Sequence, residues 1–186
     1  MPGQAKILTS EDIKYVFQLL QANRDRLIFS LGLYTGLRIS EIICLKQNQL
    51  FTEDGGIKYK LVVRRLKKKN TVYSEIPIHP KLRQSLDDYK KELPLNEWLF
   101  PSNDSTTGHI CRAQAHNILS QAFKALRLEG ASTHSMRRTC LTNMSRAGVP
   151  LRTVQEISGH SNLSQLQAYL EVDPEDKHRA INLLKY

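Results

Sequence analysis

Apolar residues along the first third of the chain recur three and four positions apart, the spacing that puts them on one face of a helix. Ile13, Val16, Phe17 and Leu20 follow Thr9 and Asp12, a pair spaced as a capping box. A second helix is predicted from about Arg24 to Tyr34, ending near Gly36, and a short one from Ile39 to Leu45. The period then falls to two. In IKYKLVVRR, residues 57–65, Ile57, Tyr59, Leu61 and Val63 alternate with mostly polar neighbours, and TVYSEIPI, residues 71–78, reads as a partner strand. The polar link between them predicts a β-hairpin with its tip near Lys68 to Asn70.

Helical spacing returns after His79-Pro80, with Leu82, Leu86, Tyr89 and Leu93 on one face. Trp98 and Phe100 are expected to anchor the connector between Pro94 and Pro101, and PSNDSTTGH after it is a polar surface loop. Helices follow over about 112–128 and 134–147, the second stopped by Gly148, with Pro150 opening another. Asp173-Pro174 starts a last amphipathic helix carrying Ala180, Ile181 and Leu184. The pattern predicts a mainly α fold with one small antiparallel β-hairpin, of the α+β class.

At 186 residues with 40% hydrophobic residues, the chain suits one domain with a buried core. No segment approaches the ~20 apolar residues of a membrane span, and MPGQAKILTSEDIK has no leader-like apolar run. Cys44, Cys111 and Cys140 have neither metal-ligand spacing nor an even count, so reduced thiols and a cytoplasmic location are expected. The histidines outside the motifs below (His79, His109, His116 and His178) form no ligand pair on a helical face, and no metal is assigned.

Charge changes the picture more. The net charge is +9, and seven cations between Lys58 and Lys69 are uninterrupted by an acid. Acids gather elsewhere, at 87–97 and 171–176. Segregation of this kind suits one face turned to an acidic partner, of which nucleic acid is the commonest.

Three short motifs carry candidate chemistry. TGLRISE, residues 35–41, places Arg38 just after a helix-ending glycine. In HSMRRT, residues 134–139, His134 and Arg137 are three apart and share a helix face, a pairing able to grip phosphate and move a proton. GHSNLSQLQAY, residues 159–169, separates His160 from Tyr169 by nine residues, about 2.5 turns of straight helix. The two side chains can therefore share a site only if the chain turns between them, and Ser161-Asn162 supplies the turn chemistry.

Together with the hairpin lysines, and in this order, the motifs resemble the catalytic domain of the tyrosine recombinase (phage integrase) family over nearly the whole chain from Leu8 onward. The resemblance implies that fold and a catalytic set of Arg38, a hairpin lysine, His134, Arg137, His160 and the nucleophile Tyr169, with Glu41 in a structural role. Counting eight residues back from Pro77, as the family pattern does, gives Lys69 as the lysine, with Lys67 and Lys68 on the same tip. Arg64, Arg65, Lys67, Lys68 and Arg138 are expected to contact DNA.

The implied activity is cutting and rejoining of DNA strands through a 3′-phosphotyrosyl intermediate, with no cofactor, metal or small-molecule substrate. Relaxation of DNA in the manner of a type IB topoisomerase and catalytically silent DNA binding are the alternatives. The implied partners are double-stranded DNA and further copies of the chain, a dimer or tetramer on DNA, with no membrane. The expected organisation is one catalytic domain, 1–186. Residues 1–8 form a flexible arm, 174–186 a C-terminal helix able to contact a second protomer, and no N-terminal core-binding domain precedes.

Overall fold

The centre of the fold is α2, Asn23–Thr35, whose Leu27, Ile28, Phe29, Leu31 and Leu33 are all buried. A helix apolar on every side must be wrapped by others, and α2 is covered by α4, Pro80–Lys90, α5, Arg112–Ala125, and α6, Thr133–Arg146. Phe29 meets Phe17 of α1, Ser10–Leu19, edge-on at 5.1 Å, and Phe123 of α5 at 6.4 Å. Gly32 lets α6 approach closely, because a Cβ there would lie 2.7 Å from the Met136 sulfur. The computed structural model describes residues 4–66, 71–93, 95–102, 106, 108–170, 181–182 and 184, without the side chains of residues 65, 66, 71, 72, 168 and 169.

Among the described residues up to Tyr169 the expected helices form. Thr9 and Asp12 make the reciprocal capping box of α1, and Gly36 closes α2 in the left-handed conformation at φ 65°. The short α3 spans Ile39–Ile43, α7 Leu151–Ser158 and α8 Leu163–Tyr169. Leu141, Val154 and Leu166 form a second small core that joins α6, α7 and α8. The expected helix over 174–184 falls almost wholly outside the described residues, as does the hairpin tip 67–70.

The two strands, β1 Lys60–Leu66 and β2 Thr71–Pro77, pair antiparallel with Leu61 opposite Ile76. Leu61, Val63 and Ile76 point into the core. The strand begins later than the alternation suggests, because Ile57 instead bridges Phe51. Tyr59 consequently faces solvent, 89% exposed, with the Arg83 guanidinium over its ring at 5.7 Å.

The segment expected as a flexible arm is held from Gln4 to Leu8. Lys6 N donates to Gly130 O at 2.9 Å, Leu8 N donates to Thr139 Oγ1 at 2.8 Å, and the Leu8 side chain is buried. The three cysteines are unbridged, and burial pushes the Cys140 thiol up to about 12. Among the described residues no helix is long and apolar enough to cross a membrane.

Candidate functional site

Helix ends leave carbonyls without intrahelical partners and carry partial negative charge at the C-terminus. Two such ends, those of α2 and α7, meet beside the first turn of α6, and Arg137 fills the junction. Its Nη1 donates to Gly36 O at 2.6 Å and its Nη2 to Ser158 O at 2.9 Å. The residue is only 2% exposed. The two carbonyl dipoles point at the guanidinium and fix its orientation at the junction. The TGLR, HxxR and GH motifs, up to 124 residues apart in the chain (160 − 36), converge on this one side chain.

His160 sits against it. Gly159 ends α7 at φ 69°, a conformation that suits glycine, and turns the chain so that the His160 ring lies 3.3 Å from Arg137 Nη2. The ring is 7% exposed, with Nδ1 2.7 Å from Ser158 Oγ. Asn162 then caps α8 by accepting from Gln165 N at 2.8 Å. The expected turn between His160 and Tyr169 is present, and Tyr169 is the last residue of α8; its side chain lies outside the described set.

Arg38 precedes α3 two residues after the Gly36 turn. Its side chain is 42% exposed, and Glu41 accepts from its backbone N–H at 2.7 Å and lies 3.5 Å from its Nη1. Glu41 therefore orients Arg38. His134, next to the α6 cap Ser132, is exposed, yet loss of solvent around its ring lowers its pKa from the ordinary 6.5. The positive charges of Arg112, Arg137 and Arg38 push it the same way. Arg112, Arg137 and Arg38 thus lie close enough to His134 to act on it, and His160 lies against Arg137.

Arg112 was not legible as part of this cluster. It opens α5 beyond the polar loop, and only tertiary folding brings its charge to His134. Arg138, expected at DNA, points the other way: its guanidinium donates to Ala5 O and Gln4 Oε1. Arg64 is exposed in β1 opposite Tyr73, and Arg65 follows it in the strand. Lys67, Lys68 and Lys69 lie outside the described residues. No group of three or more metal-ligating side chains occurs among the described residues.

Comparison with known proteins gives a consistent picture. A family model described as the phage integrase family matches residues 6–176. The chain is 34% identical to the probable integrase/recombinase YoeC of Bacillus subtilis, over 94% of this chain and 92% of that protein. It is 28% identical to a tyrosine recombinase XerC-like protein of Caldanaerobacter subterraneus, over 97% of this chain but 54% of that one, so it spans about half of that relative. Among solved structures, the XerA recombinase superposes with a TM-score of 0.80 at 20% identity, covering all of this chain and 68% of that one. The XerH recombinase, solved bound to a palindromic difH substrate, gives 0.74 at 18% identity, over 97% of this chain and 53% of that one.

Proposed function

Because this chain belongs to the phage integrase family, we propose that it is a site-specific DNA recombinase that cuts and rejoins strands through a 3′-phosphotyrosyl intermediate. The observation that carries the reading is the convergence on Arg137, which the fold buries and orients at the junction of the α2 and α7 ends. The relatives named recombinases and the DNA-bound neighbour add the substrate class.

In this reading Tyr169 Oη attacks a backbone phosphorus, the bond from phosphorus to the 5′-oxygen breaks, and the phenol proton leaves the site. A phenol of pKa ~10 is only about one part in a thousand ionised at neutral pH, so the attack needs assistance. His134, held toward its neutral form by its surroundings, accepts that proton. Arg38 and Arg137 bind the non-bridging oxygens, where charge grows in the transition state. His160 donates a third hydrogen bond to the same phosphate. Lys69 of the hairpin protonates the departing 5′-oxygen. One phosphoester replaces another, so a 5′-hydroxyl from a second strand reverses the step without external energy.

Double-stranded DNA and further copies of the chain are the partners, and the reaction belongs in the cytoplasm. Arg64, Arg65, Lys67 and Lys68 grip the backbone, which makes binding steeply salt-dependent. Incubation with supercoiled plasmid in EDTA, quenched with detergent, tests the reading. Protein covalently attached to DNA is expected, and Tyr169→Phe is expected to bind DNA without attaching. Equal attachment by the variant would overturn it.

A further inference from the structure

We infer that the segment 4–8 is a strap that positions the site: by holding Arg138 and Thr139 it keeps the start of α6 against the end of α2 and sets where His134 and Arg137 stand, with Thr139 as the positioning residue. The inference rests on the proposed reaction for its kinetic consequence, and on the N-terminal segment for its geometry. Lys6 N donates to Gly130 O at 2.9 Å, three residues before α6, and Leu8 N donates to Thr139 Oγ1 at 2.8 Å. Arg138 donates to Ala5 O and Gln4 Oε1 of the same segment. The attachments at 130 and at 138–139 bracket the turn of α6 that carries His134 and Arg137.

The side from which the segment holds α6 matters as much as the place. Successive residues of a helix are about 100° apart, so Arg138 and Thr139 lie about 200° round α6 from Met136 and Arg137. Those two face α2: a Cβ at Gly32 would lie 2.7 Å from the Met136 sulfur, and Arg137 reaches Gly36 O at 2.6 Å. The segment therefore closes on α6 from the side away from α2, and the helix is held between them.

The strap is itself anchored. The Leu8 side chain is buried in the main core, and Thr9 caps α1 directly after it. Lys6 Nζ pairs with Asp12 of that helix at 3.2 Å, and Phe17 of α1 packs edge-on against Phe29 of α2. Thr139 is buried, so loss of its oxygen leaves the Leu8 N–H in the interior without its acceptor, a costly arrangement. Water reaches that amide only if segment and helix part. The Arg137 guanidinium, aimed at two carbonyls 2.6 and 2.9 Å away, has little room for such a shift.

Thr139→Val exchanges the accepting hydroxyl for a methyl group of similar size, and Thr139→Ser keeps the hydroxyl. The single-turnover rate of detergent-stable attachment at saturating DNA should fall about tenfold in Thr139→Val, short of the roughly 10²-fold that a 1 Å misplacement can cost, and recover in Thr139→Ser. The DNA concentration for half-saturation should be unchanged. Titration of the His134 ring followed by NMR in the full chain, its signal identified by its loss in His134→Gln, reads the placement without any reaction. Its pKa lies below 6.5 in the wild type, through loss of solvent and the charges of Arg112, Arg137 and Arg38. It should rise toward 6.5 in Thr139→Val and return in Thr139→Ser. A Thr139→Val variant that keeps the wild-type His134 pKa would overturn the inference, as would a loss confined to DNA affinity or one that Thr139→Ser shares. If Thr139→Val does not fold, Arg138→Ala, which frees the same segment, is read in the same way. If the wild type never attaches to DNA, the proposed reaction fails, and the titration still decides the role of the strap.

Discussion

Arg137 and Arg38 face the same cluster from opposite physical situations. Arg137 is buried, and its guanidinium is aimed by two main-chain carbonyls at helix ends. Arg38 is placed by its backbone beside the Gly36 turn, but its head remains 42% exposed and leans on Glu41 at 3.5 Å. The first cation is part of the fold; the second is finished by whatever anion arrives. Two residues with the same proposed role should therefore separate cleanly when stability and chemistry are measured together.

The largest expected effects break that comparison. Arg137→Met leaves the Gly36 and Ser158 carbonyls without their donor, at about 1–3 kcal/mol each, and removes covalent capture of DNA. Arg38→Ala should change stability by no more than about 0.5 kcal/mol, since exposed ion pairs contribute little. It should still slow attachment by about 10²-fold or more. Thermal melts beside single-turnover assays distinguish the two, and equal destabilisation by both substitutions would erase the distinction.

Arg138 sharpens the contrast from the adjacent position. The helix turns it away from Arg137 and toward Ala5 and Gln4. Arg138→Ala should cost about 1 kcal/mol and expose the N-terminal segment to proteolysis. The salt dependence of DNA binding should stay unchanged. A drop of about 0.9 in the logarithmic salt slope would instead mark Arg138 as a phosphate contact.

The smallest effect concerns His134. Burial, followed by the charges of Arg112, Arg137 and Arg38, lowers its pKa from 6.5, so the unfolded chain binds the proton first as pH falls. Its contribution to stability is intact above about pH 6.5 and is lost progressively below it. His134→Gln should flatten that part of the melting-temperature profile, and an unchanged slope would contradict the assignment.

Much of this was legible in the chain because it depends on local chemistry. Thr9 and Asp12 announce a helix start, and Gly36 marks a helix end whose carbonyl Arg137 uses; the left-handed stop at Gly159 that turns His160 toward Arg137 emerged only in the structure. The spacing also showed that His160 and Tyr169 can share a site only if the chain turns between them, and that turn is present, with Asn162 capping the helix after it. What was not legible depends on tertiary direction. Tyr59 fits the inward alternation of a strand that in fact begins one residue later. Neighbouring arginines at 137 and 138 look equivalent until the helix phase sends one to the site and the other to the N-terminal segment. The segment 4–8 is too short to show a periodicity that would reveal that Gly130, Arg138 and Thr139 hold it.

The central claim is that Tyr169 is the nucleophile, and locating the covalent bond tests it most directly. DNA-linked protein, digested with nuclease and then trypsin, can be sequenced by mass spectrometry. Tyr169 is the sole tyrosine of the tryptic peptide 153–177, so the account predicts a nucleotide remnant on that peptide, esterified to Tyr169 through a 3′-phosphate. A remnant on another tyrosine, such as the exposed Tyr59 or Tyr73, or on a residue other than tyrosine, would contradict it.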